Sequence, residues 1–269
     1  MAVQGTYGKI SVFEDFNGWA ASVSIADATA GTRYNDLTFI AISGAVDFVN
    51  TLDESGGVAS FSGAGGAGDG ICITSSPLVP SASGTIVMEA RFKKSSITDL
   101  QLFAGWMETV STTEPVMPFT LSGTTLTANN GGNVVGFYAD STATTDDFRF
   151  MAGLDGVALT TAAVYAPGST STTLGALGIR TNTTLTSDSW YIARVEINPG
   201  GTALGYFGHT TMAGGAALAP RLVARLTAEN ALDATALYYP VLILLDASTG
   251  DILNEVDYFG FTGQRDWAA

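Results

Sequence analysis

The sequence predicts an all-β sandwich of two antiparallel sheets, and three observations carry this prediction. Apolar and polar residues alternate in the stretches 84–92, 99–106 and 190–197. Turn signals occur next to such stretches, with Asp-Gly at 155–156 and Asn-Pro-Gly-Gly at 198–201. Only one stretch, 228–235, favours a helix. Alternation with a period of two is typical of antiparallel strands with one buried face, so we expect one side of each strand to belong to a core.

The stretches 84–92 and 99–106 show the alternation most clearly. Their apolar sides consist of Ile86, Met88, Ala90 and Phe92 in the first and Leu100, Leu102, Ala104 and Trp106 in the second. The six residues between them, 93–98, are largely polar. A short polar connection between two alternating runs is typical of paired antiparallel strands, so we expect these two strands to be neighbours.

The remaining elements are expected on both sides of this central pair. Strands precede it at 9–16, 33–43, 45–52, 57–62 and 71–74, and Pro77 and Pro80 then interrupt the chain. A small hairpin around Ser122-Gly123 follows it, with strands at 134–139, 147–154, 157–165, 190–197, 202–207, 221–227, 238–245 and 251–261. Strands 147–154 and 157–165 are predicted to pair across Asp155-Gly156. We expect about fifteen strands in one domain over 9–262, with an N-terminal arm at 1–8 and a C-terminal tail at 263–269.

The composition is acidic and poor in charge. The 269 residues include 25 Asp and Glu against 11 Lys and Arg, for a net charge of −14, and only 13% of the residues are charged. Nucleic acids and anionic membranes attract cationic surfaces, so we expect binding to neither. No apolar run reaches the roughly 20 residues that cross a bilayer, and no secretory signal is predicted. So few charges are typical of a surface that is covered in an assembly.

Few residues suit metal, phosphate or nucleophilic chemistry. His209 is the only histidine and Cys72 the only cysteine, so we expect no zinc site, no Ser-His-Asp triad and a buried, inert thiol. The glycine-rich run 63–70 lacks the Gly-Lys-Ser/Thr ending of a phosphate loop. Calcium binding by Asp146-Asp147 or Asp155 is an alternative to solvated turn acids. We predict no cofactor and no metal site.

Several framework segments carry a family resemblance. The order of Met88-Glu-Ala-Arg-Phe92, Gly105-Trp106, Trp190-Tyr-Ile-Ala-Arg-Val-Glu196, Asn198-Pro-Gly-Gly201 and Val256-Asp-Tyr-Phe-Gly-Phe261 resembles the concanavalin A-like lectin/glucanase jelly roll. More narrowly, the segments 114–126, 135–140 and 151–156 are similar to structural proteins of tailed bacteriophages that are built on that fold. The resemblance covers roughly residues 10–262.

The resemblance implies a virion component, most often a decoration or cement protein on the capsid or an accessory tail protein. We expect a protein that is made in the host cytoplasm, lies on the capsid surface and stabilises the shell by bridging capsid subunits. Its expected partners are the major capsid protein and further copies of itself. A homotrimer is predicted because icosahedral lattices offer local threefold positions. The arms 1–8 and 263–269 are expected to reach neighbouring subunits.

The same superfamily includes glycoside hydrolases, so the acidic residues need separate attention. Retaining hydrolases use two carboxylates about 5–5.5 Å apart. Glu255 and Asp257 are predicted to share one face of a strand, but Phe259 occupies the position of the third acid in the glucanase pattern. Glu14 and Asp15 are adjacent, so in a strand they point to opposite faces. We therefore predict that the protein is not an enzyme.

The four tryptophans keep carbohydrate binding as the alternative function, that of a lectin-like accessory tail or fibre protein contacting host glycans. Trp19, Trp106, Trp190 and Trp267 are the residues available for a sugar platform. Trp106 shares its side of the strand with Leu100 and Leu102, which predicts a core position instead. Trp19 and Trp267 lie near the chain ends, where an aromatic side chain equally suits the anchoring of a neighbouring subunit.

Overall fold

The structure is a computed structural model that describes residues 9–16, 22–26, 31–51, 57–62, 66–96, 100–122, 125–129, 132–141, 147–155, 157–158, 164–165, 179–184, 186–210, 219–226, 231–246 and 253–264. In chain order the strands are β1 (Lys9–Glu14), β2 (Ser22–Ile25), β3 (Thr32–Tyr34), β4 (Leu37–Ile42), β5 (Val46–Thr51), β6 (Val58–Ser62), β7 (Gly70–Ser75), β8 (Ile86–Lys94), β9 (Leu100–Met107), β10 (Phe119–Ser122), β11 (Thr125–Ala128), β12 (Val134–Asp140), β13 (Asp147–Leu154), β14 (Val157–Ala158), β15 (Val164–Tyr165), β16 (Ile179–Thr184), β17 (Trp190–Ile197), β18 (Ala203–Thr210), β19 (Arg221–Leu226), β20 (Tyr239–Asp246) and β21 (Leu253–Gln264). The one described helix, α1 (Pro80–Ser83), lies between β7 and β8.

These strands form two large antiparallel sheets and one small hairpin. The ten-stranded sheet has the order β15-β19-β18-β17-β8-β21-β6-β5-β2, and β1 also pairs with β21. The nine-stranded sheet has the order β14-β13-β12-β9-β20-β7-β4-β3, and β16 also pairs with β13. Strands β10 and β11 pair only with each other. The predicted class, an all-β sandwich of two antiparallel sheets, is confirmed.

The main core lies between the two sheets. Ile86, Met88, Ala90 and Phe92 of β8 are buried there, together with Leu100, Leu102, Ala104 and Trp106 of β9. The Trp106 indole Nε1 donates a hydrogen bond across the core to the Val195 carbonyl oxygen at 3.0 Å. The predicted inward sides of both strands, and the core position of Trp106, are therefore confirmed.

The prediction that these two strands are neighbours is wrong. Strand β8 lies between β17 and β21 in the ten-stranded sheet, whereas β9 lies between β12 and β20 in the nine-stranded sheet. The connection between them therefore crosses from one sheet to the other. Both inward sides face the same core, and an alternating pattern is the same whether two strands pair edge to edge or pack face to face.

Three smaller elements also differ from the prediction. The described part of 228–235 contains a turn at 234–235 rather than a helix, and the helix α1 begins at Pro80, where an interruption was expected. The hairpin across Asp155-Gly156 is confirmed for β13 and β14. Val164–Tyr165 does not continue it, because β15 pairs with β19 in the other sheet. The described residues form more strands than the fifteen expected, since the predicted strands 33–43 and 157–165 each divide into two, and β2 and β16 were not predicted.

The chain ends are only partly described. Strand β21 extends to Gln264 and pairs with β1, so 263–264 of the predicted tail belong to the sheet. Residues 265–269 and the predicted arm 1–8 lie outside the described residues. Among the residues that the structure describes, no helix has the length and apolar character needed to cross a bilayer.

The outward side of the nine-stranded sheet is closed by a second apolar cluster. Its buried members are Ile40, Ile42, Cys72, Phe103, Met107, Met117, Phe119, Val134, Tyr138, Met151, Val241, Ile243 and Leu245. Phe119, the first residue of the β10–β11 hairpin, places its ring 6.3 Å from Phe103 and 5.9 Å from Tyr138. This outward side, which we call the closed face, is therefore part of the protein interior.

One ion pair is buried at the end of the main core. Lys94 continues the inward side of β8, and its Nζ atom lies 2.5 Å from the Leu245 carbonyl oxygen and 3.2 Å from the Asp246 carboxylate. Both side chains are buried, and they belong to opposite sheets. The pair therefore connects the ten-stranded sheet to the nine-stranded sheet at this end of the sandwich.

Candidate functional site: the outer face of the ten-stranded sheet

The outward side of the ten-stranded sheet carries a lattice of charged and aromatic side chains. Strands β8, β17 and β21 lie side by side at its centre, and their inward residues fill the core. Because successive side chains of a strand point to opposite faces, the intervening residues point outward. These include Glu89, Arg91 and Lys93 of β8, Trp190, Arg194 and Glu196 of β17, and Glu255, Asp257 and Tyr258 of β21. We call this side of the sheet the open face.

Two ion pairs join β8 to β21 on the open face. Lys93 Nζ lies 2.6 Å from Glu255 Oε2, and Arg91 Nη1 lies 2.5 Å from Asp257 Oδ2. The register between the strands shifts between Val256 and Tyr258, which places the extra residue of a bulge at Asp257. The bulge allows Glu255 and Asp257 to meet consecutive outward cations of β8.

A second set of polar contacts is centred on Glu89 and joins three strands. Its carboxylate accepts a hydrogen bond from the Tyr258 hydroxyl at 2.6 Å and lies 3.4 Å from Arg194 Nη1. Arg194 also lies 2.7 Å from Glu196. Burial raises the pKa of Tyr258, and the hydrogen bond to Glu89 raises it further, so this hydroxyl remains a donor at neutral pH. Burial opposes the charge of Arg194, but Glu196 and Glu89 outweigh it and raise the pKa of this residue.

Trp190 lies beneath these charges rather than open to solvent. Only 6% of its surface is exposed. The Arg91 guanidinium carbon and the Lys93 Nζ atom lie 4.6 Å and 4.9 Å from the centre of its ring system. These distances are typical of cation–π contacts. The ring is therefore unavailable as a stacking platform for a sugar in this arrangement.

Exposed apolar side chains are concentrated around this lattice. The described residues include six large hydrophobic side chains that are exposed, and four of them, Phe13, Val49, Leu222 and Leu253, belong to strands of the ten-stranded sheet. Phe13 is 56% exposed; its ring lies over Gly260, and its centre is 5.3 Å from the Tyr258 ring. Aromatic residues and arginines are enriched at protein–protein contacts, so the open face is the strongest candidate for a contact surface.

The predicted acidic candidates lie in two different settings. Glu255 and Asp257 do share the open face, as predicted, but each is ion-paired with a cation of β8. Glu14 is buried and accepts hydrogen bonds from the Phe16 amide at 3.2 Å and the Asn35 amide group at 2.9 Å. Glu255, Asp257 and Glu14 are therefore all held by contacts within the fold.

The remaining candidates are scattered. Cys72 is buried in the closed face, and burial raises the pKa of its thiol, which disfavours the reactive thiolate. His209 is half-buried near the end of β18, opposite Tyr191. Asp155 is an exposed turn residue with a φ of 49°, and Asp146 lies outside the described residues. No three His, Cys, Asp or Glu side chains in the described part of the chain come together as metal ligands.

Two further candidates concern the glycine run and the tryptophans. Residues 66–70 of the run lead into β7, where Asp69 is buried and accepts a hydrogen bond from the Gly66 amide at 2.8 Å. The described part of the run, 66–70, is therefore held by its own carboxylate. Trp19 and Trp267 lie outside the described residues. Phe13 was not predicted as a surface residue, and its position next to β21 depends on a pairing between the two ends of the chain.

Comparisons with known proteins show the fold. No protein-family model matches the chain, and no curated protein matches it. A protein of unknown function from Shewanella oneidensis MR-1 matches with a TM-score of 0.54 at 14% identity, over 100% of this chain and 92% of that chain. The CBM2 module of the evolved Dit protein of Lactobacillus casei BL23 phage J-1 has a TM-score of 0.46 at 12% identity, over 97% and 98%. Lectin I from Ulex europaeus has a TM-score of 0.46 at 12% identity, over 90% and 97%.

At these identities the likeness concerns architecture and leaves function open. The order and antiparallel pairing of the strands place the chain in the predicted fold class. The protein has an all-β sandwich fold of two antiparallel sheets.

Proposed function

We propose that the protein is a non-enzymatic structural component of a tailed-bacteriophage particle that acts by surface contact. Its place is the capsid surface, where it works as a decoration protein that stabilises the shell by bridging subunits of the major capsid protein. The sequence resemblance to phage structural proteins and the charge-poor composition support the assignment of the protein to a phage particle. The open face supports the mode of action.

The single observation that carries this proposal is the state of the charges on the open face. Glu89, Glu196, Glu255 and Asp257 each lie within ion-pairing distance of Arg91, Lys93 or Arg194. Covering a paired charge costs less than covering an unpaired one, provided that its hydrogen bonds persist. The exposed apolar side chains around them gain from being covered. This combination favours a contact surface over a catalytic cleft.

The test begins with purified particles. Quantitative mass spectrometry should find the protein at a copy number comparable with that of the major capsid protein, because a decoration protein repeats with the shell lattice. Particles that lack it should lose their contents at a lower temperature, and added purified protein should restore the original temperature. Particles of normal thermal stability without the protein would contradict the proposal.

Catalysis is tested on the same preparation. Purified protein should cleave no polysaccharide, whether by hydrolysis or by elimination. The matched variants are Glu255→Gln, which alters an acid of the open face, and Glu114→Gln, which alters an exposed acid away from the described strands. Turnover that Glu255→Gln abolishes and Glu114→Gln preserves would replace the structural role with an enzymatic one.

Glycan binding is a second candidate, favoured by the exposed ring of Phe13. This ring lies beside Tyr258, and the Tyr258 hydroxyl and Glu89 supply hydrogen-bonding atoms close by. An aromatic surface next to polar groups is a setting in which sugars bind. If this candidate is right, a glycan array shows binding that Phe13→Ala removes and that Val116→Ala, an exposed control elsewhere, leaves unchanged.

A further inference from the structure

One row of residues crosses the open face at right angles to the strands. The strand registers place one residue of each of six strands opposite the next, in the order Phe13, Gly260, Glu89, Arg194, Tyr206 and Leu222. Adjacent strands are about 4.8 Å apart, so the row is about 24 Å long. We refer to these six residues as the central row.

The chemistry of the central row reverses at its midpoint. From the β1 end it starts with the exposed ring of Phe13 and reaches the negative Glu89. From the β19 end it starts with Leu222, which is 37% exposed, and passes through Tyr206 to the positive Arg194. The midpoint lies between Glu89 and Arg194, on the boundary between β8 and β17. Each half of the row therefore has an apolar residue at its outer end and a charged residue at the midpoint, negative in the half that starts at β1 and positive in the half that starts at β19.

We propose that the central row is a self-complementary contact, through which two copies of the chain pack face to face about a two-fold axis. The axis runs parallel to the strands, between β8 and β17. It places Glu89 of each copy opposite Arg194 of the other and Phe13 opposite Leu222. It also brings Tyr206 opposite Gly260 and the Phe13 ring that lies over this glycine. A two-fold contact of this kind uses the same patch on both copies.

Charge complementarity indicates that the partner that binds the central row is a second copy of the chain. The whole chain carries a net charge of −14, so two copies repel each other over most of their surfaces. The centre of the open face differs, because Arg91, Lys93 and Arg194 there balance all but one of the four carboxylates. Repulsion between copies is therefore weakest at the central row, where opposite charges also face each other.

The size of the surface fits a weak dimer. Six strands across and the nine residues of β8 along the strand direction give a patch of about 24 Å by 27 Å, or about 650 Å². A standard interface buries about 800 Å² on each partner, and smaller ones are typical of transient complexes. We therefore expect dissociation in the micromolar range, at which about 8 kcal/mol of binding free energy is available.

This inference rests on the proposed use of the open face for protein contacts, and it names the partner. The sequence predicted a homotrimer, and a two-fold contact instead gives a dimer. The two outcomes have different masses in solution. The mass of the purified protein in solution does not depend on attachment to the capsid. The absence of a dimer would therefore contradict this inference without contradicting the proposed function.

The experiment is sedimentation equilibrium of the full chain over a range of protein concentrations. The wild type should pass from one chain mass to two as its concentration rises through the micromolar range. Arg194→Glu should weaken the association more than about tenfold, since it places like charges opposite each other across the interface. Leu237→Glu changes an exposed apolar residue outside the strands and should leave the association unchanged. Circular dichroism checks that each variant is folded.

A charge swap makes the test specific to the row. The double variant Glu89→Arg, Arg194→Glu restores opposite charges between positions 89 and 194, both within each chain and between two identical copies, while position 194 then lies beside Glu196 of its own chain. It should therefore recover most of the association that Arg194→Glu alone loses. A mixture of wild type and double variant should form no mixed dimer, because like charges then face each other. A monomer at the highest concentration, a mass of three chains, or free mixing of the two forms would each overturn the proposal.

Discussion

The closed face and the open face are the outward sides of the two sheets of one sandwich, and they differ in what covers them. On the nine-stranded sheet, Phe103 and Tyr138 are buried beneath Phe119 of the β10–β11 hairpin. On the ten-stranded sheet, the outward residues pair as ions and leave Phe13 exposed. Within the described residues, the chain itself covers the outward side of one sheet, and the outward side of the other is the surface that we propose for contact with partners.

The largest expected difference between the two faces concerns a matched pair of phenylalanines. Phe103→Ala should destabilise the protein by about 3–5 kcal/mol, because it leaves a cavity in the fully buried closed face. Phe13→Ala should cost less than about 1 kcal/mol, since its ring is already largely exposed. Urea unfolding followed by tryptophan fluorescence measures both values. Equal costs would mean that the two faces are not covered as described.

The difference between β8 and β9 explains how far the sequence predicted these faces. Strand β8 alternates strictly between buried and half-buried residues, so its inward and outward sides follow from the sequence. Strand β9 starts with the same alternation, but Phe103 and Met107 on its outward side are also buried. Their apolar character is visible in the sequence, whereas the hairpin that covers them comes from another part of the chain.

The candidate surface was predictable only in part. The shared face of Glu255 and Asp257 followed from their spacing along a strand. Their pairing with Lys93 and Arg91 depends on the neighbouring position of β8 and β21, which are far apart in the sequence. Phe13 reaches the same surface because β1 pairs with β21. Such long-range pairings are set by tertiary packing, which the local pattern of a single strand does not contain.

The two consecutive lysines Lys93 and Lys94 provide a second matched pair of substitutions, one on the outward side of the sheet and one in the core. Lys94→Met should cost about 3–5 kcal/mol, because it removes the ammonium group that balances the buried Asp246 carboxylate between the sheets. Lys93→Met should cost less, about 1–3 kcal/mol, because its ion pair with Glu255 lies on the outward side of the sheet, where both side chains keep some exposure to solvent.

A double variant that replaces both Lys94 and Asp246 serves as the control for the buried ion pair. Combining Lys94→Met with Asp246→Leu should recover most of the loss, since apolar residues of similar size replace a buried ion pair at little cost. The free energy of unfolding of the four proteins forms a double-mutant cycle. Identical losses for Lys93→Met and Lys94→Met would contradict the assignment of Lys94 to the core.

The smallest difference in stability is expected between two glycine-to-alanine variants, one on each face. A Cβ atom at Gly105, next to Gly136 on the closed face, would lie 2.2 Å from the Val135 carbonyl oxygen. Gly105→Ala should therefore cost about 1–3 kcal/mol as the strands shift apart. At Gly260 on the open face the nearest atoms are 3.0 Å and 3.1 Å away, and the latter belongs to the Phe13 ring, which can move outward. Gly260→Ala should cost less, and thermal unfolding of the two variants gives the ranking.

The most direct test of the contact role is hydroxyl-radical footprinting of the protein, free in solution below the micromolar concentrations at which it is expected to dimerise, and bound in purified particles. Oxidation of Phe13, Tyr206 and Leu222 on the open face should fall several-fold on assembly. Val116 and Leu237 are comparably exposed away from this face and serve as internal references, with unchanged oxidation expected. Unchanged oxidation of Phe13 and Leu222, together with protection of Val116 or Leu237, would contradict the use of the open face as the contact surface.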